Sequence, residues 1–296
     1  MSDLPALPEL RHYPELDGRT FLLGIGGMKC ATSWVHAYLD GLPGMTASPI
    51  KELHFFNARL RPPGHEPMTE HHVDVMRDFL ERASDVTAEI AVNPQVQGLI
   101  DCLRMHHDAN AYFDLFARIC TPETRALCEI TPQYAVLGRD GFDWVRRFFA
   151  SQKMTLKVVF ILRDPVERLW SHLRHLQQRS AGMDIVADWP RLIRQRGVIE
   201  RSDYWQSVEA LDAVFPERDL LYLFYEDLFD GEGLRRLCDF AGLPFHPPER
   251  QERRNETSVK TPLPATVRSK LLRVLGPQYA FCRERFGEAV PAAWQG

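Results

Sequence analysis

Leu156 to Leu162 reads LKVVFIL, an apolar run that breaks off sharply into RDP. A strand apolar on both faces needs cover above and below, and in soluble proteins crossover helices on a parallel sheet supply that cover. Pro165 then opens a helix to about Gln178, since proline suits a first helical turn. The same alternation recurs along the chain. Thr20 to Ile25, Arg125 to Ile130 and Leu220 to Tyr225 read as strands. Helical patterns cover Thr32–Asp40, Thr69–Arg82, Ala109–Ile119, Gly233–Ala241 and Pro264–Phe286. Arg61 to Pro67 reads as a loop, and Ser180 to Arg201 as a polar insert. The pattern predicts an α/β fold with a mainly parallel central sheet flanked by helices. No long linker divides it, so one domain over residues 1–296 is expected, with a core of about 20–260 and a C-terminal helix of about 264–286. Ligands of such sheets collect at the carboxyl ends of the strands.

Net charge is −4, so bulk nucleic-acid affinity is not expected, and an anionic ligand would need a local basic cluster. No apolar run is long enough for a membrane span, and the N-terminus MSDLPALPEL lacks a signal-peptide core; a cytoplasmic protein is expected. The six cysteines, Cys30, Cys102, Cys120, Cys128, Cys238 and Cys282, form no C-x-x-C pair and no zinc spacing, and read as reduced, mostly buried thiols. His71–His72 and His106–His107 lie in polar segments and read as surface histidines, so no metal is expected.

Phe21 to Trp34 reads FLLGIGGMKCATSW: strand, glycine turn, lysine, helix. Such a turn can aim backbone N–H groups at an anion, with the helix N-terminus adding partial positive charge. Lys29 adds a full charge, and Thr32 and Ser33 add hydroxyls; a simple capped turn with Lys29 in solvent is the alternative. A Walker loop needs a hydroxyl directly after the lysine to hold magnesium, and Cys30 stands there. A dinucleotide fingerprint fails too, because Lys29 takes the place of the third glycine. The loop therefore suits a 5′-phosphate without a metal.

Arg163 ends the strongest strand, and Ser171 lies eight residues on, within the next helix. The two can converge on one anion, for which the forked guanidinium is suited. The alternative is a structural turn with Asp164 as N-cap and Pro165 at the first helical position.

Together the two segments resemble the sulfotransferases that use 3′-phosphoadenosine 5′-phosphosulfate (PAPS). Lys29, Thr32, Ser33 and Trp34 follow the order of that family's 5′-phosphosulfate loop, and Arg163, Asp164, Pro165, Arg168 and Ser171 fill its R-D/N-P-x-x-R-x-x-S phrase. The resemblance implies that Lys29 meets the phosphate and bridging oxygen, within a loop formed by Gly26, Gly27, Met28, Cys30 and Ala31. Thr32 and Ser33 would hold the 5′-phosphate, Trp34 would stack on adenine, and Arg163 and Ser171 would hold the 3′-phosphate. Core packing is the competing role for Trp34. Tyr225, in FYEDL, matches a tyrosine that meets the nucleotide, with core packing again the rival. Arg253 to Lys260 is similar to the family's C-terminal lid, with Lys260 the candidate contact.

KELHFFN, Lys51 to Asn57, resembles a phrase of the heparan-sulfate and bacterial sulfotransferases, which assigns Glu52 as the base; His54 is the competing base. Glu129 to Tyr134 reads EITPQY where relatives often carry a lysine after the glutamate, so Ile130 marks a departure. The resemblance covers roughly Thr20 to Lys260. It implies sulfuryl transfer from PAPS to a hydroxyl or amine of a small-molecule or carbohydrate acceptor, releasing adenosine 3′,5′-bisphosphate (PAP). A P-loop-type kinase or NTPase and a non-catalytic PAP-binding relative are the alternatives. Acceptor identity and oligomeric state are not legible in the chain.

Overall fold

A computed structural model of the protein describes residues 4–62, 68–180, 182–229, 231–248 and 258–294. The run that opens the sequence argument is strand β4 (Thr155–Leu162). Val158, Phe160 and Leu162 enter one apolar cluster and Val159 and Ile161 the other, so both faces are covered. Strand β1 (Thr20–Gly26) divides likewise, with Phe21, Leu23 and Ile25 on one face and Leu22 on the other. With β2 (Met45–Ala47), β3 (Ala126–Ile130) and β5 (Leu220–Phe224), these strands form one sheet in the order β2-β3-β1-β4-β5. All its pairings are parallel. Every crossover must then pass over a face, which is why helices account for most of the chain.

The helices are α1 (Thr32–Asp40), α2 (Phe55–Leu60), α3 (Met68–Arg82), α4 (Val86–Val92), α5 (Pro94–His107), α6 (Asn110–Ile119) and α7 (Gly138–Phe149), followed by α8 (Pro165–Arg179), α9 (Ile185–Leu192), α10 (Arg196–Ile199), α11 (Tyr204–Asp212), α12 (Glu232–Ala241) and α13 (Ala265–Phe286). Helices α1 and α12 cover one face through Trp34, Val35, Leu39, Leu234 and Leu237. The opposite face carries an aromatic cluster, in which Phe21 meets Phe116 edge-on at 4.7 Å and Phe113 stacks on Phe148 at 4.7 Å. Burying each such ring contributes about 1.5–3 kcal/mol.

Within the polar insert Ser180 to Arg201 the chain forms α9, N-capped by Asp184, then α10 and a 3-10 turn at Glu200–Ser202. One expectation needs correction. The histidine doublets are not all on the surface. Helix α3 packs on α5, which buries His72 and brings its Nδ1 to 3.0 Å from Nε2 of His106. Burial, then the neighbouring His54, His106 and His71, lowers His72 to about 3. No group of three or more potential ligands able to hold a metal ion occurs among the described residues. Among those residues, too, no helix is long and apolar enough to cross a membrane. The cysteines are free, and all but Cys120 are buried. Of the segment Arg61 to Pro67, residues 63–67 lie outside the described residues.

Glu129, fully buried on β3, accepts hydrogen bonds from Tyr112 Oη at 2.6 Å, Tyr134 Oη at 2.7 Å and Thr131 Oγ1 at 2.8 Å. Burial raises its carboxyl against the pull of these hydroxyls. Glu129→Ala strands three buried donors, at about 1–3 kcal/mol for each. Denaturant titration should show at least about 3 kcal/mol of lost stability, with Glu129→Gln losing less. An alanine variant within about 1 kcal/mol of wild type would rule the cluster out as a tie between β3 and its surroundings.

Candidate active site

Because β1 is central and pairs with both β3 and β4, the segments that leave these strands emerge side by side. The loop after β1 crosses from strand to helix through Lys29 and Ala31, both left-handed at φ 68° and 59°. Gly26, at φ 147°, has no space for a side chain: a Cβ there would come within 2.9 Å of the Pro132 carbonyl oxygen. Gly27 donates its N–H to Ile161 O at 2.7 Å, which locks the loop to β4. Met28 and Lys29 are partly exposed, Cys30 is buried with Sγ 3.7 Å from Met28 O, and burial pushes that thiol up to about 12. Helix α1 begins without a side-chain cap; Thr32 is buried and Ser33 half-buried in its first turn. The first-turn N–H groups thus lack one of their ordinary partners.

Arg163 follows β4 directly. Its Nη1 donates to the Lys29 carbonyl at 3.0 Å, and its guanidinium lies 4.3 Å from the centroid of Tyr225, the residue after β5. Tyr204 Oη donates to Arg163 O at 2.9 Å and accepts from Arg163 N at 3.3 Å. Asp164 caps α8 as expected, accepting from Glu167 N at 2.9 Å, and also accepts from Tyr279 Oη at 2.8 Å. Ser171 is buried about two turns into α8. Arg168 is wholly buried and donates to Ser202 Oγ.

Trp34 is 4% exposed, packed 5.0 Å from Phe229 and 6.2 Å from Tyr38, so its ring belongs to the core. Phe229 in turn meets Tyr225 edge-on at 5.2 Å, so aromatic contacts run from Arg163 to the first helix. Lys260 is exposed. Of the lid segment Arg253–Lys260, residues 253–257 lie outside the described residues. Its described end is fastened to α8: Ser258 N donates to Gln178 Oε1 at 3.1 Å, Thr261 Oγ1 to Gln177 Oε1 at 2.8 Å, and Trp170 Nε1 to Thr261 O at 3.0 Å.

Glu52 reaches the same end of the sheet because its segment runs on beside β3, with Ser48 N bonded to Cys128 O at 2.9 Å and Glu52 N to Ile130 O at 3.2 Å. Ile130 itself is core, packed where a Cβ on Gly24 would come within 2.8 Å. Glu52 and His54 are both left-handed, at φ 69° and 52°. Non-glycine residues in that region cost about 1–3 kcal/mol each and persist only where their surroundings hold them. Here the grip comes from the EITPQY segment. Thr131 Oγ1 accepts from His54 N at 3.5 Å, Tyr134 Oη from Phe56 N at 3.5 Å, and Gln133 O from Asn57 Nδ2 at 3.1 Å.

The Glu52 carboxylate contacts Lys51 Nζ and lies 3.4 Å from His54 Nε2. Burial alone would raise it, but the hydrogen bond from His54 and the charge of Lys51 prevail and bring it to about 2. Lys29 is lowered too, for a different reason: burial first, then the charges of Arg163 and Arg174, lower its pKa, with Glu52 opposing. Three cations therefore crowd one corner beside one carboxylate, an arrangement that an incoming polyanion relieves. Arg174, His175 and Arg179 were not singled out from the sequence, although the helical spacing from Ser171 (i+4, i+8) already set His175 and Arg179 on its face.

A family model described as "Sulfotransferase family" matches residues 22–247. A search of curated proteins finds no match. Among solved structures, the chain is similar to a sulfotransferase from Alicyclobacillus acidocaldarius, with 20% identity, 90% of this chain and 95% of that one covered, and a TM-score of 0.57. It is also similar to the sulfotransferase domain from the curacin biosynthetic pathway, with 17% identity, 88% and 98% covered, and a TM-score of 0.50. At these identities the structural likeness speaks to the fold.

A carboxylate held low contributes stability above its unfolded value of about 4.3, and loses it as pH falls toward about 2. Carbon-13 NMR of the Glu52 carboxyl should find it still ionised at about pH 4, below the ordinary glutamate value. The Lys51→Met/His54→Asn double variant should let burial win and titrate above about 4.3. Titration of wild-type Glu52 at or above that value would contradict the assigned contacts.

Proposed function

Because the chain belongs to the sulfotransferase family, we propose that it transfers the sulfuryl group of PAPS to a hydroxyl or amine of a small-molecule or carbohydrate acceptor and releases PAP. The observation that carries this reading is the 3.0 Å bond from Arg163 to the Lys29 carbonyl, which unites two phosphate-binding segments on the side of the sheet where Glu52 stands. The donor set fits the nucleotide. Lys29 and the N-terminus of α1 suit the 5′ side, and Arg163 and Ser171 the 3′-phosphate. Tyr225, against the Arg163 guanidinium, steadies it; Trp34 and Lys260 remain candidates for adenine and 3′-side contacts. No residue of this set needs a metal to hold the anion.

Chemically, the acceptor must lose a proton as it attacks sulfur. Glu52 is ionised throughout the neutral range, so it is ready to take that proton. His54 at 3.4 Å and Lys51 orient the carboxylate. Lys29 stabilises charge on the departing bridging oxygen, a preorganised electrostatic effect. Holding Glu52 low has a cost, since a weaker base accepts the proton less readily. The negative charge of bound PAPS offsets this by drawing on the same cations.

Two measurements test the proposal. PAP should stabilise the protein in a thermal shift, by about 2.7 kcal/mol at 100 times its dissociation constant, and magnesium-ATP much less. Arg163→Ala should weaken PAP more than adenosine 5′-phosphosulfate, which lacks the 3′-phosphate. Stabilisation by magnesium-ATP equal to that by PAP would favour an NTPase instead.

Glu52→Gln keeps size and much of the hydrogen bonding but cannot take the proton. It should lower kcat by about 10²–10⁴ while PAP affinity stays nearly unchanged. His54→Asn should be milder, because it disturbs orientation only. A Gln variant retaining more than about a tenth of wild-type kcat, or a severe His54→Asn beside a mild Glu52→Gln, would move the base role from Glu52 to His54.

A further inference from the structure

Helix α8 lays out the site along one face. Ser171, His175 and Arg179 follow at four-residue spacing, roughly 6 Å of rise per step. Ser171 stands at the 3′-phosphate end. His175, one turn on, feels Lys29 and Glu52, and so lies beside the reacting groups. Arg179, one turn further, lies past them.

The opposite wall at that point is the start of α3. His71 sits there, exposed, with its ring 6.1 Å from that of His54, which contacts Glu52. The charge of Arg179 acts on His71 as well as on His175, so α3 and the end of α8 face each other across the approach to Glu52.

This approach gathers basic side chains around the Glu52 carboxylate. Among the described residues neither Arg174 nor Arg179 makes a hydrogen bond or an ion pair, and Arg174 Nε is buried without a partner. Asp74, which acts on His71 alongside Glu52, is bonded to Arg77 at 2.7 Å. Arg174 acts on Lys29 and so belongs to the phosphosulfate end. Arg179 has no such duty.

We propose that the acceptor carries an anionic group, a carboxylate, phosphate or sulfate, beyond its reacting hydroxyl or amine, and that Arg179 binds this group in the gap between α3 and α8. The inference rests on Glu52 marking the acceptor side. An attacking atom near Glu52 points the remainder of its molecule away from Lys29, toward Arg179. A guanidinium there can take the anion through two parallel bonds. The simpler role for Arg179, complementing the dipole at the C-terminus of α8, would be served equally by lysine, whereas forked recognition would not.

The test uses the whole protein saturated with PAP and titrated with inorganic phosphate as the probe anion. Wild type should bind phosphate, Arg179→Ala should weaken it roughly tenfold, and Arg179→Lys should restore less than half of that loss. PAP affinity should be the same in all three. Matched acceptors, such as 4-hydroxyphenylacetate and its methyl ester, are then compared with radiolabelled PAPS across a panel of hydroxyl and amine pairs. Acids should be sulfated at least about tenfold faster in kcat/KM than their neutral partners, with the advantage erased, through KM, by Arg179→Ala. Phosphate binding unmoved by Arg179→Ala overturns the inference, as does full rescue by lysine or equal use of neutral partners. Absence of PAP binding would instead bring down the sulfotransferase reading itself, and the phosphate titration can still be read without PAP.

Discussion

The hydrogen bond from Arg163 to the carbonyl of Lys29 joins the two halves of the site. It is possible only because β1 and β4 are parallel neighbours, so that the loops leaving them start at the same height. Gly27 N bonded to Ile161 O sets that height, and Tyr204 grips the backbone of Arg163 from behind. A lysine and an arginine from chain positions far apart are thereby held as one anion-binding corner. The proximity is unfavourable in itself, since the Arg163 charge adds to burial in lowering Lys29, and packing of the sheet sustains it. Such preorganised charge is suited to stabilising a departing anion, because little reorganisation remains when the reaction occurs.

The segment that carries Glu52 is held by a second device. Glu129 gathers Tyr112, Tyr134 and Thr131, and the last two also accept from the backbone of Phe56 and His54. The buried carboxylate therefore acts on Glu52 through two hydroxyls and a strained stretch of chain. Ile130, the position that departs from related sequences, has its side chain in the core and its carbonyl on Glu52 N. That carbonyl helps to place Glu52, and Lys51 brings positive charge to it from the other side.

Electrostatics divides the site into two ends. Toward α1 and β4 the cations Lys29, Arg163 and Arg174 gather. Toward α3 the carboxylate of Glu52 is tuned by Lys51 and His54, with Arg179 beyond. Helix α8 spans both, and the chain returning through Ser258 and Thr261 is bonded to it, so one rigid element sets the distance between the ends.

The sequence by itself determined the parallel α/β class and the bounds of β4, α1 and α8 to within a residue or so. These are local: an apolar run, a glycine turn and a proline at a helix start carry their meaning within about ten residues. Helix α7 was missed, since Gly138, Gly141 and its charges obscured the period that buries Phe142, Val145 and Phe149. Short β2 and α2, and helices α5 and α11, escaped for a related reason: their residues acquire a buried face only from the layers that cover them. Only the tertiary structure decided that His72 is buried against His106, that Trp34 lies in the core, and that EITPQY clamps the segment carrying Glu52. It also set the direction in which Glu52 is shifted. Burial was legible as a cause that raises a carboxyl, but the hydrogen bond from His54 that outweighs it depends on two left-handed residues, Glu52 and His54. That backbone conformation is imposed by contacts with Thr131 and Tyr134, more than seventy residues away in the chain.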